Sequence, residues 1–136
     1  MKSFNQNEDY SRYEILIESN KDYVEVRFFG GVTLDLVNSA FLELLGHQSF
    51  RHNMNACYDY TDAIIETDMK ELEQHADFVG QYLHRRGSHY KLALVTNETL
   101  NSALLNVYKL LISKTTIEAE VFGSKKQSLI WLHSSD

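Results

Sequence analysis

Between Tyr13 and Leu132 the spacing of apolar residues switches repeatedly between the two-residue period of a strand and the 3.6-residue period of a helix. YEILIES from Tyr13 and YVEVRFFG from Tyr23 are rich in β-branched and aromatic residues, and the turn chemistry of Asn20-Lys21-Asp22 between them predicts a β-hairpin. The second strand stops at Gly30-Gly31. From Thr33 the period becomes helical: Leu34, Val37, Phe41 and Leu44 recur on one face, Thr33 caps, Asp35 lies in the electropositive first turn, and Gly46 ends the pattern. A polar connection, HQSFRHNMN, leads to a short strand, ACYDY, from Ala56. Asp68 and Glu71 then form a capping box ahead of Met69, Leu72, Ala76, Val79 and Leu83, an apolar stripe expected to run to Gly87. KLALVT, Lys91 to Thr96, has the look of a strand buried on both faces. A third helix starting near Asn97 or Thr99 carries Leu100, Ala103, Leu104, Val107 and Leu111. IEAEVF is the last strand, and Ser124 with Gln127 opens a final helix through Leu129, Trp131 and Leu132.

The predicted order is ββαβαβαβα. Strands that alternate with helices after an opening hairpin imply a mainly parallel sheet with right-handed crossovers, hence a single α/β domain. Residues 1–12 are polar and without periodicity, so a flexible leader is expected ahead of a domain spanning 13–136. The 136 residues suffice for one substantial core and not for two.

Composition removes several classes of function. A formal net charge of −6 argues against a nucleic-acid surface, which needs clustered Lys and Arg. Cys57 is the sole cysteine, so no intramolecular disulfide or cysteine metal site is available, and a reducing compartment is expected. The amino terminus lacks the apolar core of a secretory signal, which makes the cytoplasm the expected location. No apolar run approaches the ~20 residues needed to span a bilayer, since Asn106 and Lys109 interrupt the longest.

The densest chemistry is ACYDYTDA, Ala56 to Ala63, which ends the predicted third strand where parallel sheets gather functional groups. Asp59 there, with Thr96 and Lys125 closing the following strands, has the outline of a receiver-type phosphorylation site. The first parallel strand, however, ends RFFGGV without a carboxylate to hold the metal. Asp59 and Asp62 form an acid and base pair only if they share a pocket; otherwise such aspartates accept backbone amides at strand-to-loop junctions. Cys57 has no histidine near it in sequence and is read as a buried thiol. Glu71 and His75, one helical turn apart, are too few for a metal site, and His84, Arg85 and Arg86 are read as cations at a helix carboxyl end. No dinucleotide loop, nucleophile elbow or paired zinc motif occurs, so neither enzymatic activity nor a cofactor is expected.

The hairpin, the GGVT ahead of the first helix, the aspartate of the third strand, KLALVT and the terminal EAEVFGSKKQSLIWL together resemble the SpoIIAA-like family of STAS-type domains, over Tyr13 to Leu132. Phe122 at the end of the last strand and Trp131-Leu132 in the final helix are the most specific part of the resemblance. It implies a superhelix of β-α units, shared in outline with CRAL-TRIO lipid-binding domains. In bacterial anti-sigma factor antagonists of this class a Ser or Thr at the start of the helix after the third strand is phosphorylated. That place is held here by IIETDMKE, which leaves Thr67 as the candidate phosphoacceptor beside Asp68. The resemblance thus implies a regulatory protein-interaction module with Asp59, Tyr60, Thr61, Asp62, Thr67 and Asp68 as its surface. The CRAL-TRIO outline implies the alternative, a carrier or sensor of a small apolar ligand or lipid. The third helix is apolar around more of its circumference than one core face requires, an excess suited to a pocket wall or to a homodimer interface.

Overall fold

The computed structural model describes residues 11–134. The expected hairpin is present: β1, Arg12–Glu18, pairs antiparallel with β2, Tyr23–Val32, in a register running from Arg12 opposite Phe29 to Glu18 opposite Tyr23. Asp22 adopts the left-handed conformation, φ 56°, that closes the turn. Arg51 ties the turn down through the Ser19 carbonyl and the Asp22 carboxylate, both at 2.8 Å. Of the polar leader expected over 1–12, residues 1–10 lie outside the described residues, as do the last two of the 13–136 domain. Arg12 is not leader but the first residue of β1, its guanidinium stacked 4.1 Å from the Phe29 ring centre.

Helix α1, Leu34–Gly46, starts at Thr33, whose hydroxyl accepts from Leu36 N. Strand β3 is Asn55–Ile65, and α2 is Met69–Gly80, opened by the predicted capping box of Asp68 and Glu71. A single turn, α3, Leu83–Arg86, precedes β4, Lys91–Val95. Helix α4, Thr99–Ile112, is capped by the Glu98 carboxylate, which accepts from Asn101 N at 2.7 Å; β5, Glu118–Phe122, and α5, Lys125–Leu132, complete the chain. The strands lie in sequence order in one sheet, parallel from β2 to β5 with β1 antiparallel at the edge. Among the described residues no helix is long and apolar enough to cross a membrane.

Two expectations are corrected. The third strand does not end at Tyr60. Thr61 returns both its N–H and its hydroxyl to the Asp59 carboxylate, at 2.9 and 2.5 Å, and absorbs a bulge that lets the β2–β3 ladder continue to Val32 opposite Ile65. β4 pairs with β3 only as far as Asp59, and beyond it Asn101 takes the place of a strand: its Nδ2 donates to Ala63 O and its Oδ1 accepts from Ile65 N, both at 2.9 Å. The second helix, in turn, does not run to Gly87. After Gly80 the bonding tightens, with Tyr82 N donating to Val79 O, and the chain restarts as α3. Phe78 and Tyr82 both pack their rings about 6 Å from Phe41, which turns the segment inward.

The sheet has unequal faces. Val24, Val26, Phe28, Ala56, Tyr58, Tyr60, Leu92 and Leu94 form the main core with α1, α2 and α4. The opposite face buries Tyr23, Cys57, Ala93 and Val95 under α5, with Leu132 and Trp131. Helix α2 packs chiefly against α1 and α4 rather than on the strands, so it bridges the main face with space beneath it.

Candidate functional site

The structure separates the residues singled out by the sequence. Asp59 is buried on the α5 side, 4.0 Å from Arg27, while Thr61 and Asp62 are exposed beside it and Asp62 meets Arg27 at 3.4 Å. Lys125 closes that cleft and pairs with Glu25 at 2.6 Å. Tyr60 points the other way, stacked on Phe28 with ring centres 4.8 Å apart. Thr67 is buried at 8% exposure, and Asp68 is exposed as the α2 cap. Cys57 lies under α5, its Sγ 3.6 Å from the Ser128 hydroxyl, and burial raises its thiol to about 11, which suits an inert thiol. Among the described residues no group of three or more His, Cys, Asp or Glu side chains is placed to hold a metal.

The space under α2 is a cavity of about 40 Å³, room for roughly two or three waters. Tyr58, Tyr60, Leu92 and Leu94 form its floor, Leu72, His75 and Val79 of α2 its roof, and Phe41 of α1 and Leu105 and Tyr108 of α4 its sides. Thr67 lines it where α2 begins; Arg86 and Tyr90 line it where the chain returns to β4. Two residues of this lining carry a buried polar atom without a hydrogen-bond partner: the Thr67 hydroxyl and Nη1 of Arg86.

Arg86, 1% exposed, is a cation set into the core. Its Nη2 donates to Met54 O at 2.8 Å, and its guanidinium lies 3.5 Å from the Tyr90 ring centre and 5.4 Å from that of Phe50. Its backbone is pinned on both sides: its carbonyl accepts from Asn53 N, and Gly87 turns away at φ 93°. Every described Asp and Glu carboxylate lies beyond ion-pairing distance of it. The one acid lining the cavity, Glu71, is engaged by the Asp68 N–H at 3.0 Å.

Burial disfavours the charged forms of the histidine and the tyrosines around the cavity. Burial lowers His75 to about 4, and its Nδ1 meets Asn38 Oδ1 at 2.6 Å. Burial raises Tyr58, Tyr60, Tyr90 and Tyr108, against which the Arg86 charge pulls Tyr58, Tyr90 and Tyr108 back only in part. Protonated phenols and a guanidinium therefore share the lining with aliphatic side chains, Thr67, Glu71 and His75.

Arg86 and His75 are the residues that sequence reasoning missed. The signal was present: His75 lies three residues after Leu72, and Arg86 three after Leu83 and seven after Val79, so both continue the buried stripe. Their polarity, and for Arg86 the helix-end explanation, obscured that phase.

A five-stranded sheet in order 1-2-3-4-5, antiparallel only at its first strand and crossed by helices, is a SpoIIAA-like fold, as the sequence resemblance implied. The same fold is seen in the crystal structure of an uncharacterized protein of the DUF3478 family from Shewanella loihica PV-4. It aligns over 90% of this chain and 94% of that one with a TM-score of 0.58 and 17% identity, a likeness of fold alone. No family model matches the sequence, and no curated protein matches it.

Proposed function

We infer that the protein is a non-enzymatic binding module that carries or senses a small apolar molecule in the cavity beneath α2. The observation that carries this reading is the cavity itself: a space with aromatic and aliphatic walls, two of whose lining residues carry a buried polar atom without a partner. A bound molecule with a polar end supplies a partner for the guanidinium. Its non-enzymatic character is supported by the neutral His75 and the raised phenols, tuned away from the range in which side chains exchange protons readily near neutral pH. Native mass spectrometry of the purified full chain, with thermal unfolding across a panel of short acids, amides and alcohols, tests it. A co-purifying mass or a ligand-dependent rise in Tm is expected; an apo mass and an unchanged Tm across the whole panel would overturn it.

A second reading, a regulatory protein-interaction module, is favoured by one observation. Ile64, Met69 and Leu100, at 50, 60 and 59% exposure, stand at the end of β3 and the starts of α2 and α4, with Asp62 and Asp68 beside the first two in sequence. Asn101 joins α4 to Ala63 and Ile65, so the ends of these elements meet. Light scattering of Ile64→Lys and Met69→Lys beside the wild type tests a homodimer through this surface, and cross-linking with a cell extract tests a different partner. Loss of a specific cross-linked species in both variants is expected, and identical patterns would remove this surface.

A further inference from the structure

We propose that the cavity beneath α2 binds a small apolar monocarboxylate, a short aliphatic or single-ring aromatic acid, with its carboxylate on Nη1 of Arg86. This rests on the binding-module reading and adds the chemistry of the ligand. A guanidinium withdrawn from water carries a large desolvation cost unless it is paired and its donors are satisfied. Around Arg86 one donor is used by Met54 O, the ring faces of Tyr90 and Phe50 cover the planar group, and Nη1 is left buried and unpartnered. A guanidinium in this setting is an anion-binding group.

The chemistry of the remaining wall selects that anion. A single guanidinium balances a single negative charge, and the one acid on the lining, Glu71, is bonded to the start of α2. A dianionic phosphate would leave one charge uncompensated among Leu72, Leu92, Leu94 and Leu105. Tyr58, Tyr90 and Tyr108, whose ionisation the Arg86 charge influences, keep their phenol protons and so offer hydrogen-bond donors to a carboxylate. A carboxylate also matches the fork geometry of arginine, and its hydrocarbon part is suited to the aliphatic and aromatic walls. Thr67 lies at the far end of α2, whose 12 residues span about 18 Å, so its hydroxyl is not a partner for the same head group. The room present, roughly two or three waters, comes nearest to the four heavy atoms of acetate, and longer acids enter only as α2 lifts. A ring acid requires α2 to lift, and α2 rests on neighbouring helices rather than on the sheet.

The test is thermal unfolding of the full chain with sodium butyrate and sodium benzoate against butyramide and benzamide, at constant ionic strength set with sodium chloride. The acids are expected to raise Tm by about 5 °C at ten times their Kd, and the amides by less than about 1 °C. Equal rises for acids and amides would overturn the anion site while leaving the binding module standing. No rise with any of them would overturn the anion site, and an apo mass with an unchanged Tm across the wider panel would overturn the binding module too. A rise produced by chloride alone would make the site a halide site and overturn the carboxylate assignment. Arg86→Met is expected to abolish the difference between acids and amides. Because Arg86 also holds Met54, the wild type provides a second readout. The side-chain Nε–H resonance of Arg86 is expected to shift with saturating butyrate and not with butyramide, and an unmoved resonance would overturn the proposal.

Discussion

Nδ1 of His75 lies 2.6 Å from the amide oxygen of Asn38, so a carboxamide on α1 selects the tautomer of an imidazole on α2: Nδ1–H donates and Nε2 is left as an acceptor. Phe41 and Tyr108 cover the ring from α1 and α4, Glu71 stands one turn earlier on α2, and Arg86 shares the cavity. Burial holds the folded ring at about 4, below its ordinary 6.5, so on acidification the unfolded chain takes up this proton first. Its contribution is complete above pH 6.5 and is lost as the pH falls toward 4. At 1.36 kcal/mol for each pH unit that interval is worth about 3 kcal/mol. Urea unfolding of wild type and His75→Phe at pH 7, 5.5 and 4 checks it. The variant is expected to lose less of its stability over the interval; equal losses would place the titration elsewhere.

Asn101 substitutes for a missing strand, and its removal leaves Ala63 O and Ile65 N buried without partners. Asn101→Ala is expected to cost about 2–4 kcal/mol, from two unsatisfied backbone groups and a small cavity. The cost is expected to concentrate at the end of β3: amide exchange at Ile65 should accelerate more than exchange at Val26 or Leu94. Uniform acceleration would mean that the Asn101 bonds do not hold this segment separately.

Gly87 turns at φ 93°, and a Cβ there would collide with the side chain and the backbone nitrogen of Asn53. Both effects oppose any other residue. Gly87→Ala is therefore expected to destabilise by about 1–3 kcal/mol. It should also disturb Arg86, whose carbonyl accepts from Asn53 N. Denaturant unfolding gives the first quantity, and the shift of the Arg86 side-chain resonance the second. A variant as stable as wild type would refute the constraint.

Strand and helix order was legible because each element carries its own period, and the hairpin, the caps at Thr33 and Asp68 and the doubly buried KLALV lie where local chemistry puts them. The bulge was not. Asp59 and Thr61 look like turn residues in sequence, and only the pairing of β2 with β3 shows their mutual bonds to be internal to a strand. The cavity was hidden for a related reason. Periodicity locates the buried face of α2 but not its distance from the sheet, which is set by how α2 settles between α1 and α4. Arg86 continues the buried phase of the stripe, but its place at a helix carboxyl end gives a cation a sufficient explanation there, and the break after Gly80 is not written in the pattern.

Thr67 tests the phosphoacceptor idea most directly. Thr67 lines the cavity one residue before the cap of α2, and its hydroxyl is buried and makes no hydrogen bond. An orphaned hydroxyl is a cost that an isosteric methyl removes, so Thr67→Val is expected to leave stability unchanged or raise it by up to about 1 kcal/mol. Thr67→Glu, the usual charge mimic, must instead place a carboxylate at a position 8% exposed, ahead of an Asp68 and Glu71 that already supply negative charge to the helix start. It is expected to cost about 3 kcal/mol or more, or to be accommodated only by opening the first turn of α2, visible as faster amide exchange at Leu72. Phosphorylation adds up to two negative charges at the same point and would act by unseating α2 rather than by decorating a surface. Urea unfolding of the two variants separates the cases. A Thr67→Glu chain as stable as wild type, with unchanged exchange along α2, would put this side chain at the surface and support a phosphate switch without movement of the helix.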